Sequence, residues 1–358
     1  MHTQFTLLAS ILDIKRSKED FLKHKSKSSV NTLVYYTNIF KSMEKFCISK
    51  YDSSLENIIE ELAVVENPQE QVENMIQTYI DELELEGKPH STVSSYSCIA
   101  KNYLKYRRVK FDKDELATSL DFKKAIISEK YPLTKEDIKI LLDHASFESR
   151  AKILLQSGSG FRISELLTLR KCDINRDLER YTAIIRAECA KNGIERTTII
   201  SSEAMSYLDK ILENKNDNDL IFYHNAKNIR NAVIAEIEVF NRVRKGTNLD
   251  MRYEGKSTHK ITTHSFRAFF ISQFEKTYSG FGHVLSGHGK YMKQYERFTI
   301  GEKIEKYIET EKYLLIYEKP NENSSLKKEL LEMRATIARL EELNRASQSA
   351  PSHNSTLP

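Results

Sequence analysis

Tryptophan is absent from the 358 residues, and glycine (11) and proline (6) are scarce. So little glycine argues against a glycine-rich nucleotide-binding fold, and the missing tryptophan argues against a large β-sandwich. The four cysteines, Cys47, Cys98, Cys172 and Cys189, lie far apart and form no CxxC pair. That spacing argues against a zinc site or a disulfide framework and points to a reducing compartment. No apolar run approaches the roughly 18 residues a membrane span requires, so no membrane partner is expected. Met1 to Arg16 lacks a charged start, a long apolar core and a small-residue cleavage site, so export is not expected and a cytoplasmic protein is. No P-loop and no carboxylate cluster suited to a metal ion is apparent, so neither a nucleotide nor a metal cofactor is expected.

What is present is 40% hydrophobic and 30% charged residues, enough for packed cores, and a length that suggests about two domains. The net charge is only +4, but it is unevenly spread. Residues 1–50 carry a net +5, residues 51–90 a net −10, and residues 91–113 a net +5. Two basic segments flank an acidic one, a pattern compatible with solvated helix faces or with a polyanionic partner.

The periodicity predicts a mostly helical chain with one small β element. Residues 28–50 place Val30, Leu33, Val34, Ile39, Phe40, Met43 and Phe46 on one stripe, with Ser28 or Ser29 as the cap. Residues 55–64 and 69–85 read as acidic amphipathic helices broken at Asn67-Pro68, and Gly87-Lys88-Pro89 breaks the chain again. From Ser91 to Arg107 a further helix turns Val93, Tyr96, Ile99, Ala100, Tyr103 and Leu104 inward. Lys101, Lys105 and Arg108 recur on another face at i, i+4 and i+7. These segments make a helical unit at 17–113 with a basic exposed stripe, preceded by an arm at 1–16 and followed by a charged linker at 114–131. The domain at 132–320 opens at Thr134, an N-cap with Asp137 three residues on, ahead of inward Ile138, Leu141 and Leu142. TAIIR at 182–186 and TTIIS at 197–201, joined across Lys191-Asn192-Gly193, read as a small antiparallel hairpin. Beyond Pro320, Leu326, Leu330, Met333, Ile337, Leu340 and Asn344 alternate spacings of four and three, an a/d seam over 321–346. It suits either a short coiled coil or a helix folded back on its own domain. Residues 347–358 have the composition of a disordered tail.

The second domain holds residue types that handle phosphate. Arg162 follows Gly158-Ser159-Gly160-Phe161 where a helix from Ile163 to Arg170 begins, so its guanidinium fork and nearby backbone N–H groups suit an anion. Lys191 sits at the hairpin tip. His264 and Arg267 share one helical face, and His288 lies between Gly287 and Gly289, ahead of Tyr291 and Tyr295. Taken singly, each has an ordinary surface or structural explanation. Their order does not.

The succession GFRISELLTL at 160–169, a hairpin lysine, HxxR at 264–267, Gly287-His288 and a following tyrosine resembles the tyrosine recombinase (phage integrase) family from about Leu133 to Tyr317. The resemblance implies a helical core-binding domain and a mixed α/β catalytic domain. It also implies that Arg162 and Arg267 clamp the scissile phosphate, Glu165 buttresses Arg162, and Lys191, His264 and His288 complete the cationic set. The nucleophile is less regular. The position nine residues after His288 is Arg297, which cannot serve. Tyr295, seven residues after it, resembles the shorter spacing of archaeal-type integrases and is preferred to Tyr291. Ala268 stands where the family often has histidine.

The resemblance implies a site-specific recombinase or integrase of an archaeal mobile element. It would recombine double-stranded attachment sites through a 3′-phosphotyrosyl intermediate without metal or ATP, as a homo-oligomer, a tetramer on two sites. Two guanidinium groups stabilise nonbridging oxygens, His264 takes the tyrosine proton, and Lys191 protonates the leaving 5′ oxygen. The alternatives are a type IB topoisomerase-like nicking-closing enzyme and a catalytically inert DNA-binding relative.

Overall fold

A computed structural model describes residues 16–27, 30–125, 129–225, 227–254, 256–288 and 298–317, together with Met333. The chain divides into two compact units at Glu129 and Lys130. Among the described residues no helix is long and apolar enough to cross a membrane.

The first unit is helical: α1 (Lys18–Ser26), α2 (Val30–Tyr51), α3 (Leu55–Val64), α4 (Gln69–Leu85), α5 (His90–Tyr106) and α6 (Lys113–Ser119). Ile39, Phe40, Met43 and Phe46 of the predicted α2 stripe are buried, whereas Leu33 and Val34 are only half-buried. The four buried residues meet Ile59, Ile76, Ile80, Tyr103 and Leu104 in one core. The proposed caps of α2, Ser28 and Ser29, lie outside the described residues. Ser54 caps α3 by accepting the Asn57 N–H at 3.2 Å. The same chemistry makes α6: Asp112 accepts the N–H groups of Asp114 and Glu115 at 2.8 and 2.9 Å, and Leu116 and Leu120 are buried. Part of the segment read as a linker is therefore a helix packed on the core. Two leucines four apart anchor it, too few to stand out among charged neighbours.

Arg108 also departs from expectation. Helix α5 ends before it, and Arg108 has φ +65°. The Val109 N–H returns to Leu104 O at 3.1 Å, so the chain reverses there and the i, i+4, i+7 register with Lys101 and Lys105 is lost. Lys105 Nζ lies 5.1 Å from the centre of the Phe111 ring.

The second unit comprises α7 (Lys135–Asp143), α8 (Phe147–Ser159), α9 (Ile163–Leu167), β1 (Ile174–Asn175), β2 (Thr182–Ile185), β3 (Arg196–Ile199), α10 (Ser202–Leu212), α11 (Ile229–Lys245), α12 (Thr263–Phe274), α13 (Phe281–Ser286) and α14 (Ile300–Glu311). Thr134 and Asp137 form the capping box of α7. The buried helix α8 is the hub, against which α7, α10 and α12 pack. The sheet is antiparallel in the order β1-β2-β3, with Ile174 opposite Ala183 and Ala183 opposite Thr198. The hairpin is thus one strand larger than expected, and Lys191-Asn192-Gly193 occupies a long connection rather than a two-residue turn. Helix α9 ends at Leu167, earlier than the expected Arg170, and a 3₁₀ turn follows at Lys171–Asp173. Buried Tyr307 of α14 donates to Gly158 O, near the end of α8, at 2.5 Å. The seam at 321–346, apart from Met333, and the tail at 347–358 lie outside the described residues.

Candidate active site

Helix α8 ends at Gly160, whose φ is +69°. A Cβ there would sit 2.6 Å from the Phe270 ring, so both the backbone and the close approach of α12 require glycine. The chain then turns and presents Arg162 as the N-cap of α9. Glu165 reaches back and accepts the Arg162 backbone N–H at 2.9 Å and its Nη1 at 2.7 Å. The main-chain donor that the sequence offered to an anion is thus already taken. The guanidinium, with its side chain 21% exposed, remains the part that meets solvent.

Glu165 has a second cation that the sequence reading missed. Arg196 of β3 donates from Nη1 and Nη2 to the two carboxylate oxygens at 3.0 and 2.6 Å, and from Nε to Leu285 O at 3.0 Å. Burial opposes charge on Glu165. The hydrogen bonds from Arg196, its charge and the contacts of Arg162 outweigh burial and hold the carboxyl below its ordinary range. A signal was available: Arg196 follows a β turn and begins a β-branched run, so an inward-facing arginine in that strand demands a buried partner.

Arg267 on α12 is 1% exposed. Its Nη1 donates to Gly160 O at 2.5 Å and its Nη2 to Ser286 O. Its buried Nε has no partner among the described residues. Burial, then the Arg162 charge, lowers its pKa to about 9, which still leaves it charged at neutral pH. His264 stands one turn earlier and reaches solvent. Desolvation, then the charges of Arg267, Arg162 and Lys191, pushes its pKa below 6.5. Lys191 itself is exposed in the β2–β3 connection. His288 follows Gly287, and desolvation, then Arg267, His283, Arg162 and His264, lowers its pKa to about 4. Both rings are therefore neutral at pH 7. His283, which the sequence reading also passed over, places its Nδ1 2.6 Å from Nδ1 of His288.

The structure thus gathers Arg162, Glu165, His264, Arg267 and His288 around one cationic centre, with Lys191 within electrostatic range. Tyr291, Tyr295 and Arg297 lie outside the described residues. Lys101, Lys105 and Arg108 belong to the first unit. Among the described residues no group of three or more His, Cys, Asp or Glu side chains could hold a metal ion. The arrangement can bind a tetrahedral anion through guanidinium groups that are fixed before it arrives, and can accept or deliver protons beside it.

Residues 132–277 match the phage integrase family. That segment includes Arg162, Glu165, Lys191, His264 and Arg267 and stops short of His288. Among solved structures, a Tn1549 transposon integrase fragment in complex with circular intermediate DNA superposes with a TM-score of 0.46 at 15% identity, over 75% of this chain and 98% of that one. A lambda integrase dimer bound to a COC′ core site gives 0.49 at 17%, over 84% and 97%. XerH site-specific recombinase bound to difH substrate gives 0.43 at 19%, over 65% and 69%. No curated protein matches the chain.

Proposed function

Residues 132–277 are a domain of the phage integrase family, and from that premise we propose that the chain is a site-specific DNA recombinase that cuts and rejoins strands through a 3′-phosphotyrosyl intermediate on Tyr295. The observation that carries this reading is the anion site itself: Arg162 and Arg267 converge from separate elements while Glu165 and Arg196 hold the first of them in place.

In the cleavage step the Tyr295 oxygen forms a bond to phosphorus and the bond to the 5′ oxygen breaks. Arg162, Arg267 and a neutral N–H of His288 receive the charge that gathers on the nonbridging oxygens. Each such donor contributes on the order of 10²- to 10³-fold to the rate. His264, neutral at pH 7, accepts the phenolic proton, and Lys191 supplies a proton to the departing 5′ oxygen. Rejoining reverses these steps with a 5′ hydroxyl from another strand. The bond energy is kept in the phosphotyrosine, so no nucleotide is consumed. In the first unit, Lys101 and Lys105 of α5 contact DNA phosphates, and Arg108 adds its charge from the turn that follows the helix rather than from the same face. A tetramer on two attachment sites completes strand exchange, with the seam at 321–346 serving assembly.

The test is a denaturation-resistant protein–DNA adduct. The full chain is incubated in EDTA with nicked duplexes selected from a randomised pool by binding to it. An adduct formed by the wild type and lost in Tyr295→Phe, with DNA binding kept, supports the reading. An adduct lost in Tyr291→Phe and kept in Tyr295→Phe moves the nucleophile. Supercoil relaxation with no pairing of two sites makes the protein a nicking-closing enzyme, and no adduct at all makes it an inert binder.

A further inference from the structure

Two helices of this chain close in the same way but with different chemistry. At the end of α5 the Val109 N–H reaches Leu104 O at 3.1 Å, the Arg108 N–H reaches Lys105 O at 3.0 Å, and Leu104 and Val109 are both buried in the core of the first unit. An apolar pair at these two positions commonly accompanies this closure. At the end of α13 the His288 N–H reaches His283 O at 2.9 Å and the Gly287 N–H reaches Val284 O at 2.9 Å, with Gly287 at φ +78°. The positions that hold leucine and valine in the first case hold two histidines in the second. Their Nδ1 atoms are 2.6 Å apart and their ring centres 4.9 Å apart.

A contact that short between two ring nitrogens is a hydrogen bond only when one carries the proton and the other a lone pair. The two rings must therefore hold complementary tautomers. His288 is neutral at pH 7, so it has one N–H to give. A phosphate oxygen is an acceptor and needs that N–H. Since Nδ1 of His288 already faces His283, the useful proton must sit on Nε2. That tautomer makes Nδ1 of His288 the acceptor and His283 the donor.

We propose that His283 is a positioning residue for the phosphate site: its Nδ1–H holds His288 by Nδ1 and thereby fixes the His288 proton on Nε2, where a nonbridging phosphate oxygen can take it. The proposal rests on the recombinase reading for the phosphate, though the tautomer it assigns does not depend on DNA. No covalent step by His283 is involved.

Two variants separate position from packing. His283→Leu restores the apolar pairing of the α5 closure and removes the donor. His283→Asn keeps an N–H at nearly the Nδ1 position. With the selected nicked duplexes, His283→Leu should form the adduct on the order of 10-fold more slowly, as losing a partner that orients a functional histidine generally costs. DNA affinity and melting temperature should stay unchanged, and His283→Asn should recover most of the rate. Long-range ¹H–¹⁵N spectra of the full chain without DNA should show His288 protonated at Nε2 in the wild type and a mixture of tautomers in His283→Leu. Wild-type cleavage by His283→Leu, or an unchanged His288 tautomer in that variant, overturns the proposal. A wild type that forms no adduct refutes the recombinase reading instead, and the spectra still decide whether His283 sets the tautomer.

Discussion

Gly287 and Arg196 should be energetically coupled, and the structure gives the size of the coupling. A Cβ at Gly287 would lie 2.8 Å from Cδ, Nε and Nη1 of Arg196. A long side chain can usually swing away from such a clash. This one is 3% exposed and is held by both oxygens of Glu165 and by Leu285 O. Gly287→Ala alone therefore carries two costs. The left-handed backbone at φ +78° costs about 1–2 kcal/mol for a residue with a Cβ. Displacing the guanidinium costs about 1.5–3 kcal/mol for each charge-assisted hydrogen bond that breaks. Arg196→Ala alone strands a buried carboxylate, a change generally worth about 3–5 kcal/mol, and Arg162 keeps this case near the lower end. In the double variant the clash has already been removed, and only the backbone strain is added. The pair should fall short of additivity by about 1.5–3 kcal/mol, the share of the clash. Guanidinium unfolding of the full chain followed by circular dichroism, for wild type, both single variants and the double variant, measures this. Additivity within about 0.5 kcal/mol would mean that Arg196 does not brace the Gly287 turn.

Three further outcomes are expected. The His288 ring should stay neutral on acidification until about pH 4, read from its ring-proton shift. Since its folded pKa lies below the unfolded value of 6.5, its contribution to stability is complete above pH 6.5 and is lost as pH falls toward about 4, so a ring titrating near 6.5 would refute the assignment. Neutralising Lys101, Lys105 and Arg108 together should weaken DNA binding and flatten its log–log salt dependence by about 0.9 for each phosphate that is no longer neutralised; unchanged affinity and slope would remove these three residues from the interface. Ending the chain after Pro320 should leave single-site adduct formation intact and reduce strand exchange, whereas full recombination by the truncated protein would deny the seam an assembly role.

Much of the fold was legible because the sequence states it locally. The helices at Leu55–Val64 and Gln69–Leu85 have one apolar stripe each and are divided by Asn67-Pro68, and the structure gives them those limits. Thr134 and Asp137 declare the start of α7 at once. Helix α6 was missed because its signal is tertiary. Leu116 is decisive only when the core it enters exists, and nothing in a charged heptapeptide reveals that core. Arg108 was misplaced for a related reason. The helix face was extrapolated past Tyr106, but burial of Val109 ends the helix and turns the next residues away.

The site shows the same division between what a motif names and what holds it. Arg162, Glu165, His264, Arg267 and His288 were legible as residue types in a fixed order, and types in order are what a family pattern records. The supports were not, because each joins positions far apart in sequence. Arg196 connects Glu165 to the Gly287 turn, and Arg267 spends two of its donors on the carbonyls of Gly160 and Ser286, which end α8 and α13. Both glycine turns are thus tied to a guanidinium that the chemistry also needs. A lysine at either arginine would bring the charge but would donate from a single nitrogen, and so could not span the separated acceptors that the planar guanidinium fork reaches. The requirement for arginine in this centre is therefore as much a matter of bracing as of charge, and the anion meets donors whose positions are set before it binds.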